Sequence, residues 1–284
     1  MFAEGIRIRS FHAGCAHEVK LPGGKTLLID PFFRDSLSGG HTMEEVEGAD
    51  YILVTHTHFD HELDLGYFAK KFHSLVFVGA LSAFALLKYH GLAYDNVIPV
   101  YPGQTYAMKD FSLQIVGVKH NPSGGKTYSP ETDIAKEAAG TEGHQECDTF
   151  GSMESVDYLL TTPSGFRLMT VSGRTVWDEP FEISREKCPD LLLRQAGVRR
   201  DGGSLFSGEQ VTARELAELL VRYRAKIYMP FHMDVIYKRW GKEKTEEYFK
   251  EVGRFVRELS AGSEFLFPEP WKWYRLGTAV EEEA

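Results

Sequence analysis

The run Thr55-His56-Thr57-His58-Phe59-Asp60-His61 packs four metal-competent side chains into a single short stretch. It directly follows the apolar residues Tyr51–Val54, which places it at the mouth of a buried strand. Where the chain is still extended, His56 and His58 project to one side, and Asp60 and His61 fall in the turn or first helical residues beyond. Two adjacent donor pairs leaving one strand end are what two neighbouring cations need. Without a cation, converging titratable groups carry desolvation and repulsion costs that nothing offsets.

The surrounding pattern is strands first, then alternating strands and helices. Ile6–Arg9 alternates apolar and charged residues, and Pro22-Gly23-Gly24 is turn chemistry joining His17–Leu21 to Thr26–Asp30 as a hairpin. Thr42 and Glu45 have capping-box spacing, as do Thr212 and Glu215. Strands are expected at Leu75–Val78, Val97–Val100, Leu113–Val118, Tyr158–Thr161 and Phe166–Val171, with another at Ile227–Met229 that stops at Pro230. Leu81–His90 reads as a helix ended by Gly91. The stripes Leu216, Leu219, Leu220, Tyr223 and Tyr248, Val252, Phe255, Val256, Leu259 have helical spacing and read as core. Residues 121–156 are polar and glycine-rich, with a helix bracketed by Ser129, Pro130 and Gly140. They read as an insertion placed to act as a lid on one domain spanning 1–284, and the acidic tail Glu281–Glu283 as disordered.

Composition narrows the function. With 284 residues, 43% hydrophobic and 26% charged, disorder and small disulfide scaffolds are excluded. A net charge of −9 argues against a nucleic-acid binder, because phosphate neutralisation needs clustered cations. A local basic pocket for a small anion is still compatible with it. Cys15, Cys147 and Cys188 lie far apart, which fits a reducing compartment. The longest apolar stretch, Ser74–Leu87, is 14 residues and is split by Gly79; a bilayer span needs ~20. Met1–Gly5 shows no signal pattern, so a cytoplasmic protein without membrane partners is expected. A small-molecule substrate and an assembly of identical chains are expected too.

The histidine run resembles the signature of the metallo-β-lactamase superfamily, and four other segments in the same order extend the resemblance. Leu27-Leu28-Ile29-Asp30-Pro31 is similar to the second-strand motif of the lactonase and phosphodiesterase branch, which includes ascorbate-6-phosphate lactonase-like proteins. His120, Ser172-Gly173-Arg174-Thr175 and Pro230-Phe231-His232-Met233-Asp234 match later motifs. The resemblance implies a four-layer αββα sandwich. It implies one metal on His56, His58 and His120 and a second on Asp60, His61 and His232. Three ligands with an open position are the composition of a catalytic site. Zinc is the default, one ion or two, with manganese or iron also suited to nitrogen and carboxylate donors. Asp60 and His232 would carry catalysis, and Asp30 and Asp234 would orient ligand histidines, a purely structural strand-end role being equally open. The implied activity is metal-assisted hydrolysis of an ester, lactone or phosphoester.

Arg174 departs from the pattern, standing where the family has the aspartate that bridges two metals. A cation about 4 Å from a dication is opposed by roughly 8 kcal/mol at an effective dielectric near 20. Either Arg174 binds a substrate anion, or it points away, or the second metal is weak. Asp178, four residues on, is a candidate replacement carboxylate. Two other readings therefore stay open: a metal-binding pseudoenzyme or regulatory protein, and a mononuclear iron redox enzyme. His12, His17, His41, His73 and His90 lack partners at ligand spacing and read as structural or solvent-facing. His144 and Cys147 lack a second pair.

Overall fold

A computed structural model describes residues 6–11, 14–33, 40–119, 154–173, 178–198, 210–277 and 280–282. Strands β1 (Ile6–Ser10), β2 (His17–Lys20), β3 (Thr26–Ile29), β4 (Tyr51–Leu53), β5 (Leu75–Gly79) and β6 (Val97–Val100) form one sheet with β14 (Tyr274–Leu276) and β15 (Val280–Glu282). The second sheet holds β7 (Thr105–Ala107), β8 (Ser112–Lys119), β9 (Glu154–Thr161), β10 (Arg167–Val171), β11 (Leu191–Gln195), β12 (Ile227–Phe231) and β13 (Glu264–Phe265). The hairpin read from Pro22-Gly23-Gly24 is β2–β3, with His17 opposite Ile29.

Period-two alternation sorts the side chains into layers. Leu27, Ile29, Leu53 and Phe77 face inward onto Leu113, Ile115, Leu160, Leu168 and Leu193 of the opposite sheet. The alternate residues Leu28, Ile52, Val76 and Val78 face outward. There they are covered by α2 (Leu65–Phe72) and α3 (Ala80–His90), which follow the single turn of α1 (Phe59–Glu62). On the other side α4 (Asp178–Lys187), α5 (Ala213–Val221), α6 (Asp234–Trp240) and α7 (Lys242–Leu259) cover Leu159, Met169, Leu192 and Tyr228. The result is the four-layer αββα sandwich. Each large side chain buried this way stabilises by about 1.5–3 kcal/mol. Polar bonds also span the layers, among them the Tyr158 hydroxyl donating to the Val54 carbonyl at 2.7 Å.

Local chemistry sets the element ends. Thr212 and Glu215 exchange capping bonds at the start of α5; Thr42 and Glu45 do the same but open only a 3₁₀ turn, Met43–Glu45. The Glu154 carboxylate accepts from the backbone N–H groups of Leu81 and Ser82 at 3.1 and 2.7 Å, where a helix start favours negative charge. Gly79 is needed for this, since a Cβ there would lie 2.5 Å from that carboxylate.

Four sequence expectations are corrected. β12 does not stop at Pro230 but runs to Phe231. The missing proline N–H falls on the side of β13, which pairs only with Ile227 and Tyr228, so no ladder bond is lost. Residues 280–282 of the acidic tail are strand β15, because β14 offers an open backbone edge. The insertion ends earlier than 156: Glu154–Val156 begin β9, paired with Gly117–Lys119 of β8. In α7 the buried face is Thr245, Phe249, Val252 and Val256, and Leu259 is exposed. The helix expected around Ser129–Gly140 and the pair His144 and Cys147 lie outside the described residues.

The β9–β10 ladder ends at Leu159 and Met169. Beyond it the fully buried Asp157 accepts from the Ser172 N–H at 2.8 Å and the Thr170 hydroxyl at 3.2 Å, near buried Arg194. Burial pushes its carboxyl up to about 7, against the pull of those bonds and of Arg194. A carboxyl raised in the folded state costs stability as pH climbs from about 4 toward 7, where the unfolded chain ionises freely. Asp157→Asn is therefore expected to match the parent near pH 4 and to exceed it by on the order of 3 kcal/mol above pH 7. Denaturant midpoints at the two pH values check this; an unchanged difference would remove burial as the cause.

Candidate metal centre

In open α/β sheets, sites form beyond the carboxyl ends of parallel strands. Here the ends of β3, β4 and β12 meet. β3 delivers Asp30, β4 delivers Thr55 to His61, and β12 delivers His232 and Asp234. The β1–β2 connection brings in Cys15, its backbone tied to the β12 end by a 2.9 Å bond from the His232 N–H to the Gly14 carbonyl. A lone antiparallel bridge, His56 with Ser155, and a 2.9 Å bond from the Val156 N–H to the Thr55 carbonyl join the two sheets at the same place.

Asp30 organises the β4 end. It is fully buried at φ 48°, a left-handed conformation that aspartate tolerates better than most residues. Its carboxylate accepts from the Thr55 N–H and hydroxyl, each at 2.7 Å, and from His61 Nδ1 at 2.8 Å. His232, at φ 54°, is held in parallel fashion, with Nδ1 2.6 Å from Asp234. Both imidazoles therefore turn Nε2 into a common space. His61 Nε2 lies 3.3 Å from the Cys15 sulfur and His232 Nε2 3.3 Å from the Asp60 carboxylate. The donor atoms of Cys15, Asp60, His61 and His232 all fall within 4.8 Å of one another. His56 stands beside them, its ring 3.8 Å from that of His61 and its Nε2 3.0 Å from His58 Nδ1.

The electrostatics of the cluster are those of a cation site. Burial opposes a charge on His61, yet Cys15 and Asp30 outweigh it and raise that imidazole well above its ordinary range. Burial opposes His232 in the same way, and Cys15, Asp234 and Asp60 overcome it. Burial would raise Asp60, but the bond from His232 and the charges of His61, His232 and His58 hold it far below the usual carboxylate range. The surroundings thus favour positive charge at both Nε2 atoms, whether a proton or a divalent cation supplies it. Two imidazoles, a carboxylate and a thiol suit zinc or another first-row divalent ion.

The structure brings His56, His58, Asp60, His61 and His232 together and sets Asp30 and Asp234 behind two of them. His120 and Arg174 lie outside the described residues; Lys119, just before His120, pairs with Glu154 beside the sheet-joining bridge. Asp178 is exposed at the first turn of α4 and is not among the grouped donors. His90 pairs with buried Glu62, and His41 stacks on Trp271, as structural histidines do. Sequence reasoning missed Cys15 and Thr55. Thr55 adjoins the histidine run and was recoverable from it. Cys15 carries no spacing signal, because only the tertiary fold brings it near His61.

An αββα sandwich with a donor cluster at its parallel-strand ends defines a class of metal-binding folds. The family model of the metallo-beta-lactamase superfamily matches residues 18–232, and the chain belongs to that superfamily. A metal-dependent hydrolase of family UPF0173 from Rubrobacter xylanophilus is 28% identical over 178 residues, covering 63% of this chain and 65% of the relative, just under two thirds of its length. A UPF0173 metal-dependent hydrolase from Cupriavidus taiwanensis is 25% identical over 264 residues, covering 90% of this chain and 82% of the relative. Among solved structures, a metallo hydrolase from the archaeon Ignicoccus hospitalis shares the fold with a TM-score of 0.64 at 13% identity, over 98% of this chain and 99% of that one.

Proposed function

We propose that the chain is a metal-dependent hydrolase of a small ester, lactone or phosphoester. The observation that carries this reading is the convergence of Asp60, His61 and His232 within 4.8 Å, each histidine fixed from behind by a carboxylate. The hydrolase names of the UPF0173 relatives support it. Asp60, His61 and His232 would hold a divalent ion, zinc by default, which would supply a water of lowered pKa and polarisation of the substrate oxygen. The chain's residues do the rest. Asp30 and Asp234 hold the Nδ1 protons of His61 and His232, so both Nε2 lone pairs face the cluster. Asp60, with a 22% exposed side chain against 7% for His232, is where solvent reaches the cluster. From that position Asp60 would orient the attacking water.

Arg174 supplies the anion contact, a guanidinium being suited to bidentate grip on phosphate or carboxylate. The setting is cytoplasmic, with copies of this chain assembling together. Arg174 also favours a second reading, a metal-binding protein without turnover. Metal analysis with a panel of lactones, carboxylic esters and phosphodiesters separates the two. Hydrolysis that needs zinc or manganese and vanishes in Asp60→Ala is expected; bound metal without turnover of any substrate supports the second reading, and iron with redox activity overturns both.

A further inference from the structure

We propose that Cys15 is a thiolate ligand of the metal held by Asp60, His61 and His232, completing a four-donor site of two nitrogens, one oxygen and one sulfur. This rests on the metal-site reading above and adds a ligand from a different part of the chain.

The geometry is that of a coordination shell. For ligand bonds of about 2.0–2.3 Å, the edges of a tetrahedron measure roughly 3.3–3.8 Å. Two separations in the cluster, Cys15 Sγ to His61 Nε2 and His232 Nε2 to Asp60 Oδ2, are each 3.3 Å. The widest, within 4.8 Å, would close by about an ångström on binding. Cys15 is held in place for this. It is 1% exposed. Its loop is closed by a bond from the Phe11 N–H to the Ala16 carbonyl at 3.2 Å, and the Cys15 carbonyl is 2.7 Å from His17 Nδ1. The Gly14 carbonyl accepts from the N–H of His232, itself a member of the group. One loop therefore positions the thiol and the facing imidazole together.

Charge and softness point the same way. With two neutral imidazoles, Asp60 alone offers one negative charge to a dication; a thiolate makes the donor set neutralise it. The sulfur is the soft donor that favours zinc, cobalt or iron over magnesium or manganese.

Cobalt(II) loading of full-length protein tests the assignment, because a thiolate ligand produces an intense near-ultraviolet charge-transfer band. In a Cys147→Ser/Cys188→Ser double variant, Cys15 is the sole sulfhydryl. That protein is expected to keep the band, and its zinc form to show a sulfur scatterer at about 2.3 Å by X-ray absorption. Cys15→Ser is expected to lose both signals and to lose preference for zinc over manganese by at least tenfold. Full cobalt occupancy in the double variant without the band overturns the assignment while leaving the metal-site reading standing. No cobalt or zinc binding by the parent protein overturns both. Should Cys15→Ser fail to fold, the double variant alone decides.

Discussion

Replacing Asp30 by alanine is expected to lower stability by about 3–5 kcal/mol, the cost of stripping one partner from a buried charged network. Three bonds depend on this carboxylate, two from Thr55 and one from His61, and none of these groups reaches water. Alanine also tolerates φ 48° less well than aspartate does. Asp30→Asn keeps an acceptor for the Thr55 N–H and suits the same backbone, so it should lose less than half as much. Metal affinity should fall 10–100-fold in either variant, the usual effect of losing a carboxylate that orients a ligand histidine. Denaturant titration and competitive zinc titration measure the two losses. If Asp30→Ala kept parental stability, the polar hub would be a bystander.

Metal removal should have the other large effect, with a pH signature. A ligand at 1,000 times its dissociation constant adds about 4 kcal/mol to the native state, on the order of 10 °C for a chain of this size. His61 and His232 are raised in the folded protein. With chelator present, their contribution is complete below about 6.5, the unfolded value, and is lost as pH rises through the higher folded values. Zinc displaces those protons, so its stabilisation grows as pH rises. The gap between melting temperatures with zinc and with chelator should therefore widen from pH 6 to pH 9. Parallel curves would mean that the two imidazoles do not exchange protons for metal.

How much of this was legible in the sequence follows from what is local and what is not. The histidine run, the β2–β3 turn and both capping boxes depend on neighbours a few residues away, and they were readable for that reason. The layers were readable as well, since alternation such as Leu27, Leu28, Ile29 assigns faces without knowledge of partners. Pro230 misled because its cost depends on whether a neighbouring strand needs the missing N–H, which only the length of β13 decides. The tail was misread because its acidic composition says nothing of the open edge of β14. Cys15 was missed because its relation to His61 spans 46 positions and is created by the sandwich itself. Asp157 in a hydrophobic strand gave no sign of its splayed pairing with Thr170 and Ser172.

The central claim is that this edge of the sandwich binds metal through the histidine run and the β12 end together. Calorimetric zinc titration of the parent protein, His56→Ala and His61→Ala tests it most directly. Tight binding by the parent is expected, with His61→Ala losing the ion shared with His232 and Asp60, and His56→Ala losing a different one. Equal zinc stoichiometry and affinity in all three proteins would contradict the account.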